Sequence, residues 1–532
     1  MYQTQDNEIY PKYLYGAAVQ GIQGFIFQTN RLREIVGASE LVERICTDLF
    51  ETVLGRILDD NAILNAAGNI KYVFNSEEEC RRVVRVFPKT VMEFAPGITI
   101  SQSVVPMKKG DSFKSAVNKL EKNLRAQRNR QMRDLSIGLM GISRSRETGL
   151  PVTHIKNYDG KTEYLDSATY HKLYDEKGYR KKTFSLLCRK AFGDAIDTAG
   201  LWKQKRLPVE IKEMTRDNDW IAIIHADGNG LGQIVQKIGR DKDKFKEFSR
   251  ALDQATVLAA QKAFQEVVDE DLSKDKTIPM RPIVLSGDDH TVICRADIAI
   301  PYTKRFLECF EEETKLYLGG MLVENEVFEN GADRLTACAG IAFVKSSFPF
   351  HFGYQLAEAL CDRAKKDTKA LFDAEARNLP ASCLMFHKVQ DSFVVDYNAI
   401  VERELTPRPD VSFMFGPYYL QPVAKDTERR WSVDDLREKV ETLQGEQGNA
   451  VKSGLRNWLT LIHDNPGMAK QKLGRLEEMA SADMKKLLTE VTAPFQRTGI
   501  KMAYPVYDIL ALHSVSNQIT KSSNPTENET EL

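Results

Sequence analysis

Long apolar runs are missing from this 532-residue chain. No stretch approaches the roughly eighteen uninterrupted apolar residues that a membrane-spanning helix requires. The first residues, Met-Tyr-Gln-Thr-Gln-Asp, lack the basic-then-apolar order of a secretory signal, so a soluble, cytoplasmic protein with no membrane contact is expected. Paired cysteines are missing too. The eight cysteines, at 46, 80, 188, 294, 309, 338, 361 and 383, form no Cys-x-x-Cys pair and have mostly apolar neighbours, which predicts reduced core residues rather than bridges or zinc ligands. A charge of one sign is also absent. The formal net charge of −1 gives no overall attraction to nucleic acid or to an anionic membrane, so such contacts would need local basic patches. What remains is a balanced, globular composition long enough for three or four domains.

One stretch carries chemistry. Ile221-Ala-Ile-Ile-His-Ala-Asp-Gly-Asn-Gly-Leu-Gly232 reads as a buried strand ending in Asp227, followed by a Gly-rich turn (Gly228, Asn229, Gly230) into a helix. Ile283-Val-Leu-Ser-Gly-Asp-Asp-His-Thr-Val-Ile-Cys294 reads as two strands joined by a tight hairpin, Ser286-Gly287-Asp288-Asp289. If these strands share a sheet, Asp227, Asp288 and Asp289 meet at one edge. Like charges so close need a cation or a shared proton. Oxygen donors without a nearby Cys or His set favour magnesium or manganese, and two such ions suit nucleotidyl transfer. Asp-Gly and Gly-Asp-Asp are also ordinary turn sequences, so each motif alone fits a plain turn; it is their combination that points to a site.

The order of elements around this stretch occurs twice. Residues 13–29, broken by Gly21 and Gly24, predict a strand; an amphipathic helix through Ile35, Ala38, Leu41, Val42, Ile45 and Leu49 follows; 62–74 predict two strands around Ala66-Ala67-Gly68-Asn69; a helix near 76–95 and a strand near 97–106 complete the unit. The same order runs from 221 to 344, with a helix near 299–317, a strand at 335–344 and a further helix near 354–373 from which Lys365 and Lys366 leave the apolar stripe. The first copy has no Asp or Glu from Tyr13 to Thr29 and none at its hairpin, so it cannot build the same metal site. The predicted organisation is a degenerate first palm-like domain over 1–110, a helical and irregular insert over 111–217, a second palm over 218–400, a helical domain over 401–520 and a disordered tail over 521–532. Residues 112–131 predict a basic helix with a solvated face. Within 401–520, helices are expected near 432–444, 448–463, 468–490 and 502–518, the first opened by a Ser432-to-Asp435 capping box.

These residues resemble a known family. Ser286-Gly-Asp-Asp289 is similar to the Gly-Gly-Asp-Asp hairpin of the polymerase-like large subunit of type III CRISPR effector complexes, a relative of the GGDEF nucleotide cyclases. Asp227-Gly-Asn-Gly230, Ala339-Gly-Ile-Ala342, Ala364-Lys365, Gly21-Ile-Gln-Gly-Phe-Ile26 and Gly37-Ala-Ser39 support the likeness, which runs from about residue 13 to 420. It implies an α+β fold with two ferredoxin-like palms, of which only the second carries the acidic hairpin. It also implies that ATP, bound between the palms, is joined into cyclic oligoadenylate second messengers. On that reading Asp227 and Asp288 hold Mg2+ or Mn2+ with help from Asp289; Gly228, Asn229, Gly230, Ser286 and Gly287 border the nucleotide; Lys365 and Lys366 supply positive charge to the triphosphate. Guide RNA, target RNA, CRISPR backbone subunits and a downstream effector are the implied partners.

Three departures stand out. Ser286 replaces the first hairpin glycine. The chain begins almost at the first palm, so no histidine-aspartate nuclease domain and no DNA cleavage are expected. Ser143-Arg-Ser-Arg-Glu-Thr-Gly-Leu-Pro151 lies where a zinc knuckle often stands, without cysteines. Two other functions fit the same residues: a non-catalytic palm scaffold or nucleotide sensor in a ribonucleoprotein complex, and a diguanylate cyclase using GTP.

Overall fold

The computed structural model describes residues 11–66, 68–129, 140–158, 160–175, 186–215, 219–238, 241–273, 276–372, 378–390, 396–425, 428–445, 448–497 and 500–516. The expected tail over 521–532 lies outside them.

The first unit contains strands β1 (Lys12–Gln20), β2 (Ala62–Ala66), β3 (Asn69–Phe74) and β4 (Thr99–Met107), with helices Leu32–Arg44 and Glu77–Phe94 between them. Its sheet has the order β2-β3-β1-β4, and every pairing in it is antiparallel. A strand-helix-strand-strand-helix-strand chain in this order is the ferredoxin-like split βαβ arrangement. Gly16 on β1 lets the helix Phe113–Arg128 lie close, since a Cβ there would sit 2.7 Å from Leu120 Cδ2. That is the predicted basic helix; it buries Ala116, Leu120 and Leu124 and leaves its lysines toward water.

The stretch expected as an insert has structure of its own. A hairpin of β5 (Val152–Tyr158) and β6 (Lys161–Asp166) leads into the helix Ser167–Leu173, which rests on the first palm's helix. The contact is so close that a Cβ on Gly37 would fall 1.9 Å from the carbonyl oxygen of Lys172.

The second unit repeats the first. Strands β7 (Trp220–Gly228), β8 (Met280–Ser286), β9 (Asp289–Arg295) and β10 (Ala337–Lys345) are ordered β10-β7-β9-β8, the order of the first sheet, and are extended beyond β10 by β11 (Cys383–Lys388) and Tyr418–Tyr419. The added strand β11 runs parallel to β10. Central strand β7 reads as a nearly unbroken apolar run because both faces of the sheet are covered. The helix Ala296–Glu324 covers one face: its Tyr302 hydroxyl meets His290 Nε2 at 2.7 Å and its Phe306 ring packs on the same histidine. The helix Phe350–Leu371 covers the other face over Gly340. Paired residues point to the same side of a sheet and neighbours in a strand to opposite sides, so Gly340, its partner His225, and Asp227 face this second helix.

The same face looks toward the first palm. Gln23 donates to the Tyr354 hydroxyl and to Glu358, both at 2.9 Å, and the Phe27 and Tyr354 rings stack at 4.5 Å. Ser39 donates to the carbonyl of Ile283 on β8.

The C-terminal region departs from the expected four helices in two places. The predicted helix over 468–490 is two, Pro466–Met479 and Ala482–Thr492, separated at Ala480-Ser481, where both residues are extended. The helix predicted from 502 starts at Val506, because Ile500–Ala503 is a strand paired with Val411–Ser412 and with Phe495–Arg497. The Ser432–Asp435 capping box forms as expected. All eight cysteines are buried and free. No helix among the described residues is long and apolar enough to cross a membrane.

Candidate active site

The edge where β7 ends and β9 begins gathers the predicted carboxylates. Asp227 closes β7, Asp288 forms the tip of the β8–β9 turn, and Asp289 opens β9 beside Asp227. The hairpin is held from below. Gly287, at φ +66, donates its N–H to Asp253 Oδ1 (3.0 Å), and its carbonyl accepts the Thr256 hydroxyl (2.6 Å). Both partners come from the helix Lys242–Ser273, so the turn that carries Asp288 is fixed to a rigid element. Gly228 is required for another reason: a Cβ there would meet Asp288 Cβ and Oδ2 at 3.1 Å and Leu231 Cδ1 at 2.8 Å. Its lack of a side chain is what lets the two motifs touch.

Charge decides the state of this cluster. Burial, the hydrogen bond with Asp227 and the charges of Asp227 and Asp289 all push the Asp288 carboxyl far above the usual carboxylate range. Burial also raises Asp227, but the hydrogen bond to Asp288 and the Lys365 ammonium together hold it below normal. The two therefore share a proton, with Asp227 as the anion. Asp289 is pushed up to about 7 by burial and by the charge of Asp227, against the pull of Lys365. For Lys365, burial favours the neutral amine, yet the charge and hydrogen bond of Asp227 outweigh it and keep the ammonium protonated.

Several site residues sit differently from expectation. Lys365 Nζ does not stand open over the sheet edge; it bonds to Asp227 Oδ2 and to the carbonyl oxygen of Gly228 (2.9 Å). Lys366, one residue on, is exposed on the helix. Asn229 is only 1 % exposed and turns inward, donating to Thr336 Oγ1 at 3.0 Å and accepting from the Cys338 thiol, so it braces the turn rather than lining open space. Ser286 is buried at the end of β8, in register with Asp289. Gly230, at φ +74, makes the turn into the helix Leu231–Ile238.

One neighbour was missed. The cluster was expected to have no histidine, but His225, Asp227 and Asp289 each present a donor atom within 4.8 Å of the others. His225 lies two residues before Asp227 on a strand, so the period-two alternation that places Asp227 on this face places the imidazole there as well. Burial holds that imidazole below its usual pKa, keeping it neutral. Asp288 stands outside this three-donor set, tied to Asp227.

The donor set fits a divalent cation. Among the described residues Lys365 bonds to Asp227 alone of the three buried carboxylates, which leaves the cluster short of compensating charge; a bound cation would replace the proton that Asp227 and Asp288 must otherwise share.

Fold and site together define a class: a double-palm α+β chain in which the second palm carries an acidic cluster and the first faces it. Residues 220–372, less than a third of the chain, match the family model for the second palm domain of Cas10/Cmr2. Solved structures agree in fold. A chain of the Csm1–Csm4 cassette in complex with cA3 is similar with a TM-score of 0.51 at 13% identity, covering 97% of this chain and 71% of that one. The cassette in complex with cA4 gives 0.50 at 13% identity, over 95% and 69%. The cassette in complex with AMPPNP gives 0.50 at 14% identity, over 95% and 70%. No curated protein sequence matches this chain.

Proposed function

We propose that this chain is a metal-dependent nucleotidyltransferase that joins ATP into cyclic or short linear oligoadenylates, as the polymerase-like large subunit of a type III CRISPR antiviral complex. The observation that carries the reading is the meeting of Asp227, Asp288 and Asp289 at the strand ends of the second palm, on the side that faces the carboxylate-free stretch 13–29 of the first. The likeness of the fold to cassettes in complex with cA3, cA4 and AMPPNP supports adenine nucleotides as the ligands. Two unequal palms in one chain weigh against a diguanylate cyclase, whose paired palms are identical.

Mg2+ or Mn2+, when bound, supplies the positive field that activates a ribose hydroxyl and steadies the departing pyrophosphate. The chain's own residues do the rest. Asp227, Asp288 and Asp289 would hold the cation, and the proton shared by Asp227 and Asp288 would leave to solvent. Gly228 and Gly287 let the two turns approach each other without side chains in the way. Lys365 exchanges Asp227 for the triphosphate, since an anion of higher charge competes for the same ammonium. The surface from Gly21 to Ile26 on the first palm borders the acceptor nucleotide, where the lack of carboxylates avoids repelling a second triphosphate.

The full chain is incubated with each NTP and Mg2+ or Mn2+, with and without guide and target RNA, and products are resolved by mass spectrometry. Adenylate oligomers with release of pyrophosphate are expected from ATP, and none from the Asp288→Ala/Asp289→Ala double variant. Absence of any oligonucleotide, or product that persists in the double variant, overturns the reading. Lys365→Met probes the triphosphate contact. Loss of one charged contact is worth about 1.5–3 kcal/mol, so KM for ATP is expected to rise roughly 10- to 100-fold. An unchanged KM would leave Lys365 as a partner of Asp227 alone.

A further inference from the structure

The side chain of His225 has no role in nucleotidyl transfer as so far described, yet it is placed with care. It is 8 % exposed and lies on the central strand of the second palm, across from Thr291 on β9. Its Nδ1 meets the Thr291 hydroxyl at 3.2 Å, and Tyr354 packs edge-on against the ring at 5.5 Å. These contacts fix the ring plane. If Nδ1 carries the proton and donates to Thr291, the lone pair stays on Nε2, which has no hydrogen-bond partner among the described residues. Nε2 is not among the fully buried unpartnered nitrogens of the described residues, so it opens onto the site, where an ion can reach it. The donor atoms of Asp227 and Asp289 lie within 4.8 Å, in reach of one shared ion.

We infer that His225 is a ligand of the cation held by Asp227 and Asp289, and that this nitrogen makes the site select Mn2+ over Mg2+. The inference rests on the metal-site reading above and adds to it the identity of the ion. Mg2+ is a hard ion that demands oxygen donors and gives up water reluctantly, so an imidazole in its shell is a poor exchange. Mn2+ accepts nitrogen and carboxylate together, and along the first transition row affinity for such mixed sets rises above that for Mg2+. Thr291 serves as the outer partner that sets tautomer and ring orientation, as carboxylates and carbonyls do at other histidine-metal sites. Asp288 stands outside this three-donor set while it shares a proton with Asp227, and would add its charge to the cation once that proton is released.

Mn2+ alone, added to the full chain without nucleotide, is the probe. Free Mn2+ is followed by electron paramagnetic resonance, and the bound ion by pulsed measurement of nitrogen-14 coupling. Wild-type protein is expected to show saturable Mn2+ binding with a directly coordinated imidazole nitrogen, and Mg2+ to displace it only at large excess. His225→Gln keeps a partner for Thr291 and offers oxygen in place of nitrogen. It is expected to lose the nitrogen coupling, weaken Mn2+ roughly tenfold or more, and leave Mg2+ affinity within a factor of about two, so that the preference collapses. Wild-type protein that binds Mn2+ without nitrogen coupling overturns the inference while leaving the metal site intact, and that result needs no variant to fold. If wild-type protein shows no saturable Mn2+ binding, or Asp289→Asn leaves it unchanged, the metal-site reading itself fails.

Discussion

In Asp288→Asn, the metal-free protein is expected to melt several degrees above the wild type at pH 8, and the proposed product formation from ATP to fall on the order of a thousandfold. The two effects have one cause. In the wild type Asp288 is buried beside Asp227 and Asp289 and holds its proton far more tightly than it would in the unfolded chain. A carboxyl whose folded pKa is raised contributes stability that is fully present below its unfolded value, about 4, and is lost as pH rises through the folded value. Asp289, pushed up to about 7, adds to the same slope. Asp227 acts in the opposite sense, since its pKa is lowered, and its contribution persists above pH 4.

The metal-free wild type should therefore lose thermal stability between about pH 5 and pH 9, and Asn at 288 should flatten that loss. Asn mimics the protonated form: it stays neutral and can still donate to Asp227. What it cannot do is contribute negative charge to a cation. Mn2+ or Mg2+ should raise Tm for the wild type by mass action and raise it much less for the variant. Thermal melts across pH 5–9, with and without metal, check all of this. An Asp288→Asn protein that melts lower than the wild type at pH 8 would mean that the side chain supports the hairpin rather than burdening it.

Gly340→Ala is expected to cost about 3 kcal/mol and to lower the Tm of the second palm, melting as a unit of roughly 150–250 residues, by roughly 6–12 °C. A Cβ at this position would fall 1.9 Å from the carbonyl oxygen of Ala357 and 2.5 Å from the backbone nitrogen of Cys361. Neither is a flexible side chain, so the whole helix Phe350–Leu371 has to lift from the sheet. Lys365 lies on that helix one turn beyond Cys361, so its bonds to Asp227 and Gly228 should loosen as well. Gly24, where nothing lies within 4 Å of an added Cβ, is the control site. Gly24→Ala should leave Tm nearly unchanged. Equal melting of the two variants would show that the helix does not rest on β10 as described.

Much of this architecture was readable because its local patterns agree with the final topology. The two strand-helix-hairpin-helix-strand units, the turn at Gly68, the hairpin at Gly287 and the capping box at Ser432 all follow from period, turn chemistry and caps. The helix break at Ser481 and the strand Ile500–Ala503 were not readable in the same way. The first interrupts a sequence whose apolar spacing continues, and the second exists because Val411–Ser412, about ninety residues earlier, offers it an edge.

The site divides along the same line. By itself the sequence determined that Asp227, Asp288 and Asp289 stand at strand ends and turns, because apolar runs must be buried and carboxylates must leave them. It could not determine which other side chains close on that edge. His225 joins the cluster, Asn229 turns away from it, and Lys365 is bound to Asp227, because each depends on a partner far along the chain: Thr291, Thr336 and the β7 edge itself. Contacts of that kind are made when sheet and helix pack, and their geometry is set by the close approach at Gly340 and Gly228 rather than by any local preference.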